Sequence, residues 1–146
     1  MPHVEKSALV PYADAEMFAL VDAVERYPEF LPWCGGSELI ERTAELTVAT
    51  IHIDYRGLRQ SFTTENAKHG PSLMQMKLRD GPFSRLDGAW HFQALSVVAC
   101  KVTLTLDYGF ANGLLEKAIG PVFGVIANTM IERFVARAEA LYGGKQ

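Results

Sequence analysis

An α+β fold is predicted: a seven-stranded antiparallel sheet laid against one long C-terminal helix, with two short helices between strands 1 and 2. Three features carry the prediction. Residues 100–110 alternate without a break, setting Cys100, Val102, Leu104, Leu106, Tyr108 and Phe110 against Lys101, Thr103, Thr105 and Asp107. Such alternation gives a strand one dry face and one wet face. Residues 114–142 then place Leu115, Ile119, Val122, Phe123, Ile126, Met130, Phe134 and Leu141 at helical spacing. At about 100° per residue this stripe covers roughly half the circumference, so the helix needs a large apolar partner. Finally, six strand-like runs with short turns between them precede the helix, which is the pattern of an antiparallel meander. Helices confined to one side of such a sheet define the α+β class.

The elements follow in order. Residues 3–10 form a first strand that Pro11 ends. Asp14 is placed to cap a helix over residues 15–26, in which Met17, Phe18, Leu20, Val21 and Val24 recur at helical spacing. Tyr27-Pro28 interrupts it, because proline disfavours the α conformation in the residue before it. One short turn follows over residues 29–31, and Pro32 with Gly35-Gly36 closes the region. Strands are then expected over residues 37–42, 46–56, 59–68, 72–79, 85–93 and 97–110. Gly57, His69-Gly70-Pro71 and Asp80-Gly81-Pro82 supply turns between them. In the last helix Gly120-Pro121 removes a backbone donor and is expected to bend or split it.

Bulk properties narrow the function classes. The 146 residues suit one domain, residues 1–146, with a substantial core. Apolar content of 49% and charged content of 21% describe a globular chain. A net charge of −3 gives no global attraction to nucleic acid. Arg56, Arg59, Lys77, Arg79, Arg85 and Lys101 interleave with Asp54, Asp80, Asp87 and Asp107, as on an ordinary solvated surface, and DNA is not an expected partner. The start, Met1-Pro2-His3-Val4, lacks a charged-then-apolar leader, and no run of about 18 apolar residues occurs, so a cytoplasmic protein is expected. Cys34 and Cys100 are expected to be free thiols.

Catalytic signatures are lacking. His3, His52, His69 and His91 are scattered, no histidine–cysteine cluster has zinc spacing, and neither a nucleophile elbow nor a phosphate-binding glycine loop occurs. Neither an enzyme nor a resident cofactor or metal is expected. The broad helix stripe serves a solid core as readily as a cavity wall. Arg133 and Arg137 intrude on it, either reaching solvent, pairing with a carboxylate or standing at a pocket mouth.

Three motifs point further: Tyr27-Pro28-Glu29-Phe30-Leu31-Pro32-Trp33-Cys34 after the amphipathic helix; Asp80-Gly81-Pro82-Phe83 followed by Leu86-x-Gly88-x-Trp90-x-Phe92; and Leu106-x-Tyr108-x-Phe110 leading into Phe123, Asn128-x-Met130 and Phe134-x-x-Arg137-Ala138. Together they resemble the coenzyme Q-binding START-domain family and its RatA-type ribosome-association toxin branch, within the polyketide cyclase/dehydrase and lipid-transfer superfamily. The resemblance covers almost the whole chain. It implies a helix-grip fold, a deep apolar tunnel, and a role in binding ubiquinone or a related prenyl lipid in support of respiration. For the toxin branch it implies instead a toxin–antitoxin protein that binds the large ribosomal subunit and blocks subunit joining. Transient contact with the inner-membrane surface would accompany the lipid role.

A quinone tail needs a dry channel, and burial would drive it in at about 25 cal/mol per Å². Candidate walls are Ile51, Ile53, Phe62, Met74, Met76, Trp90, Phe92, Leu104, Phe123, Met130 and Phe134. Tyr55 and Tyr108 could donate a hydroxyl to a quinone carbonyl or bond to backbone or water within the core. Trp33, in the Pro32-Trp33-Cys34 loop, is a candidate gate or a hydrophobic cap.

Overall fold

Period-two alternation and tight turns set the architecture, which a computed structural model describes over residues 3–143. Residues 1–2 and 144–146, which the one-domain reading and the leader argument include, lie outside the described residues. The strands are β1 (His3–Val10), β2 (Cys34–Arg42), β3 (Leu46–Tyr55), β4 (Leu58–His69), β5 (Leu73–Asp80), β6 (Phe83–Ser96) and β7 (Ala99–Phe110). They form one antiparallel sheet in the order β1-β7-β6-β5-β4-β3-β2. Helix α1 (Asp14–Asp22) and a 3-10 turn (Val24–Glu29) bridge the two edge strands, and α2 (Gly113–Tyr142) follows β7. Register shifts in β2, in β4 beside β5 and at both ends of β6 bend the sheet, as bulges do. The main core lies between the inner sheet face and the helices.

Several boundaries differ from expectation for physical reasons. Ala13, not Asp14, occupies the cap position; its N–H is bonded to the Glu16 carboxylate at 3.1 Å, while Asp14 accepts from the Ala15 N–H at 2.8 Å. The helix expected to reach residue 26 breaks at Ala23, and Pro28 lies within the 3-10 turn that follows. Gly35-Gly36, expected to close the region before a strand at 37–42, already belongs to β2: a Cβ on Gly35 would come within 2.7 Å of the Asp54 Cβ, so β2 and β3 approach too closely for a side chain at Gly35. The turn between β3 and β4 has two residues, Arg56 (φ 51°) and Gly57 (φ 84°), the left-handed pair whose twist suits a tight hairpin.

Helix α2 runs unbroken through Gly120-Pro121. Ile119, Phe123, Ile126 and Ala127 are buried on either side of the proline, so packing holds the helix across the missing donor. Asn112 caps it, accepting from the Leu115 N–H at 2.9 Å. By length and composition α2 would suffice to cross a membrane. In this fold it packs against β7 and β1. The apolar stripe ends sooner than expected, since Leu141 is exposed. Arg137 is tied down by Glu29 at 2.6 Å and lies over the Phe30 ring, whereas Arg133 is exposed.

A polar clamp fixes the helical layer over one end of the sheet. Asp22, the last residue of α1, accepts from Lys68 of β4 at 3.1 Å and from the Thr47 hydroxyl of β3 at 2.6 Å. Arg42 of β2 donates to the Asp22 carbonyl at 2.6 Å and to both oxygens of Glu25 at 2.7 and 3.0 Å. The Arg42 guanidinium holds the Glu25 carboxyl at about 2, against an ordinary 4.5. Because the folded value is the lower one, this stabilisation is complete above about pH 4.5 and is lost as the pH falls from there through about 2. Glu25→Gln should therefore flatten the fall of the urea-unfolding midpoint between those pH values, and a profile as steep as the parent's would contradict the assignment.

Candidate ligand-binding cavity

Alternation places every second residue of β4 on the inner face, so Phe62, Thr64, Asn66 and Lys68 all point the same way. Thr64, Asn66 and Lys68 are buried, which makes this the polar strip of an otherwise apolar concave surface. Lys68 is satisfied by Asp22. Thr64 and Asn66 instead line a cavity of about 60 Å³ under α2. Its other walls are Val24, Tyr27, Trp33, Ala49, Ile51, Phe62, Met76, Leu86, Trp90, Leu106, Phe123, Ile126 and Met130.

Two buried polar atoms on residues that line this cavity have no hydrogen-bond partner within the protein: Trp33 Nε1 and Asn66 Oδ1. Leaving such an atom unpaired in a buried site costs about 1–3 kcal/mol. Tyr27 is different. Its hydroxyl donates to the Val21 carbonyl, which leaves it only lone pairs to offer. Burial, assisted by the nearby Asp22 charge, pushes the Tyr27 phenol far above its usual range, so it stays protonated.

Of the residues expected at the site, Trp33, Ile51, Phe62, Met76, Trp90, Phe123 and Met130 line this cavity. Ile53, Met74, Phe92, Leu104 and Phe134 are buried in the core beyond its walls. Phe92 stacks on Trp90, and Phe134 meets Tyr27, Phe30 and Trp90 edge to face. Neither tyrosine proposed for a quinone carbonyl lines the cavity: Tyr108 packs against Phe123 and Phe110 with its phenol raised by burial, and Tyr55 faces a separate surface depression. Trp33 and Ile126 line both the cavity and that depression, whose rim includes Pro32, Val125 and Arg133. The Trp33 indole thus forms part of the partition between interior and surface.

Sequence reasoning missed Thr64 and Asn66, although their spacing of two and four from Phe62 was the available signal. It also missed Tyr27, which the turn with Pro28 brings under the helix. Where the resemblance implied a deep tunnel, the structure has a small space, well below the roughly 300–1,000 Å³ of ordinary ligand clefts. A prenyl chain can enter only if the walls part. Met76 and Met130 are suited to that, being unbranched and adaptable. Cys34 and Cys100 are free and buried, and burial raises both thiols. Among the described residues no three His, Cys, Asp or Glu side chains converge as a metal would require.

The concave sheet gripping one helix over an apolar cavity defines a class of ligand-holding folds. The chain belongs to the polyketide cyclase/dehydrase and lipid transport family, whose profile matches residues 10–135. It is 43% identical over 141 residues to the ribosome association toxin RatA of Pseudomonas aeruginosa, covering 97% of this chain and 98% of that protein. It is 28% identical over 143 residues to the mitochondrial coenzyme Q-binding protein coq10 of Schizosaccharomyces pombe, covering 91% of this chain and 84% of that one. Among solved structures, the Zhui aromatase/cyclase of Streptomyces sp. R1128 superposes with a TM-score of 0.77 over 98% of both chains; at 17% identity it shares the fold alone.

Replacing Asn66 by leucine removes a buried acceptor that has no partner. Asn66→Leu should raise the unfolding free energy of the ligand-free protein by about 1 kcal/mol, measured by urea denaturation. A loss of similar size would mean that the amide is a structural support.

Proposed function

We propose that the protein is a non-enzymatic carrier or chaperone that holds an amphiphile of the ubiquinone or prenyl-lipid class in the cavity under α2, in support of respiration. One observation carries the reading: a largely apolar cavity under α2 is lined by Trp33 and Asn66, each of which carries a buried polar atom with no partner within the protein. A ligand with a polar ring and an apolar tail answers both features. The likeness to a coenzyme Q-binding protein supports the same ligand class. The cavity walls include no His, Cys, Asp, Glu or Lys, and the Tyr27 proton is held too tightly for base catalysis, which supports binding over turnover. The reading carries a cytoplasmic location with transient contact at the inner-membrane surface. Mass spectrometry of an organic extract of the native protein is expected to find a quinone or related lipid, and titration with short-chain ubiquinone is expected to saturate. An empty extract together with no saturable binding would overturn it.

A second reading is favoured by the near full-length similarity to a ribosome association toxin: the protein binds the large ribosomal subunit and blocks subunit joining. The two readings are compatible, since one uses the interior and the other the outside. On sucrose gradients the protein should travel with large subunits, and overexpression should enrich free subunits. Absence of both effects would reject this reading.

A further inference from the structure

A second place on the molecule has the size and charge of a ligand site, and it shares no residue with the cavity. An open groove of about 360 Å³ runs between α1 and the C-terminal part of α2, within the range of ligand clefts. Ala19, Ala23, Phe30 and Leu141 give it an apolar lining, and the two alanines contribute only methyl groups, which leaves room for a slim chain. Arg26 and Arg137 also line it, and among the described residues no acidic side chain does.

The two arginines share one counter-charge. Both donate to Glu29, Arg26 at 2.9 Å and Arg137 at 2.6 Å. Together they hold that carboxyl below its ordinary range, so it is an anion at neutral pH. Two cations and one anion leave one positive charge beside an apolar groove. Arg137 is the better placed of the pair: its side chain is 19% exposed, and its guanidinium lies 5.0 Å from the centroid of the Phe30 ring. Ring and carboxylate fix its orientation, while Glu29 engages only Nη2, so donors of the planar fork remain for a further anion.

We infer that this groove is an external site for a fatty acid, with the carboxylate at Arg137 and Arg26 and the unbranched chain along Ala19, Ala23 and Leu141. The inference goes beyond the carrier reading and does not depend on it. Charge selects the head: one carboxylate brings the set to zero, whereas a phosphate monoester, at about −1.5 to −2, overshoots. A carboxylate also matches the guanidinium fork with two parallel bonds. The chain would cover Leu141, which is otherwise 47% exposed.

The test follows the backbone amides of the full chain by NMR as octanoate, 1-octanol or octyl phosphate is added. Octanoate should shift Ala19, Ala23 and Leu141 to saturation, with an affinity about tenfold above that of 1-octanol, the effect of a hydrogen bond to a charged group. Arg137→Gln should lower octanoate affinity about tenfold and leave that of 1-octanol within about twofold. Because that variant also gives up the bond to Glu29, a second one keeps both arginines. Ala19→Glu, at an exposed position of α1, sets a competing carboxylate on the groove and should weaken octanoate about tenfold without altering the rest of the amide spectrum. Equal affinities for octanoate and 1-octanol, or undiminished octanoate binding in both variants, would overturn the arginine head site. Tighter binding of octyl phosphate than of octanoate would overturn the choice of a carboxylate. No saturable shifts, or shifts confined to cavity residues such as Ile51, Phe62 and Leu106, would overturn the groove as the site. The titration with short-chain ubiquinone reads the carrier function separately, so neither result decides the other.

Discussion

The ion pair between Lys68 and Asp22 is the constraint on which the rest of the structure depends. Lys68 is on the inner face of β4 with its side chain only 6% exposed, and a charge so placed must be paired. Removing one partner of such a pair typically costs about 3–5 kcal/mol. Asp22 supplies the partner from the C-terminal end of α1, where the helix dipole itself disfavours an anion. Lys68, Thr47 and Arg42 together offset that, and in doing so they pin the end of α1 to three neighbouring strands. The 3-10 turn that follows, and with it Val24 and Tyr27, is thereby fixed as one wall of the cavity.

The same strand face explains why the cavity has a polar end. Period two forces Thr64 and Asn66 inward along with Lys68. The lysine finds its counter-charge; the asparagine oxygen does not. An apolar residue at 66 would leave no buried polar atom there, so local chemistry and packing conflict at this position. Phe83 packs against Phe62, Phe110 and Phe123, and of these Phe62 and Phe123 also line the cavity.

Much of the fold was legible. The seven strands and the long helix follow from alternation, turn residues and an apolar stripe, because each of those signals is local. What failed was also local chemistry overruled from a distance. Gly35-Gly36 reads as the close of the helical region, yet it lies within β2, and Gly35 is required by the close approach of β3. Pro121 reads as a break, yet buried neighbours hold the helix through it. Half of the expected site residues lie on the cavity wall, and the others are core except Tyr55, which faces a surface depression, since periodicity assigns a face but not a depth. Thr64 and Asn66 were passed over because polarity was weighed before register.

The sequence by itself determined the order of elements, the antiparallel meander and which side of each strand is dry, since backbone geometry and side-chain spacing suffice for those. Only the tertiary structure decided how much space remains between sheet and helix, and which polar atoms are left without partners inside it. Both depend on how side chains distant in the chain meet, and a void or an unpaired atom is a property of that meeting, not of any residue alone.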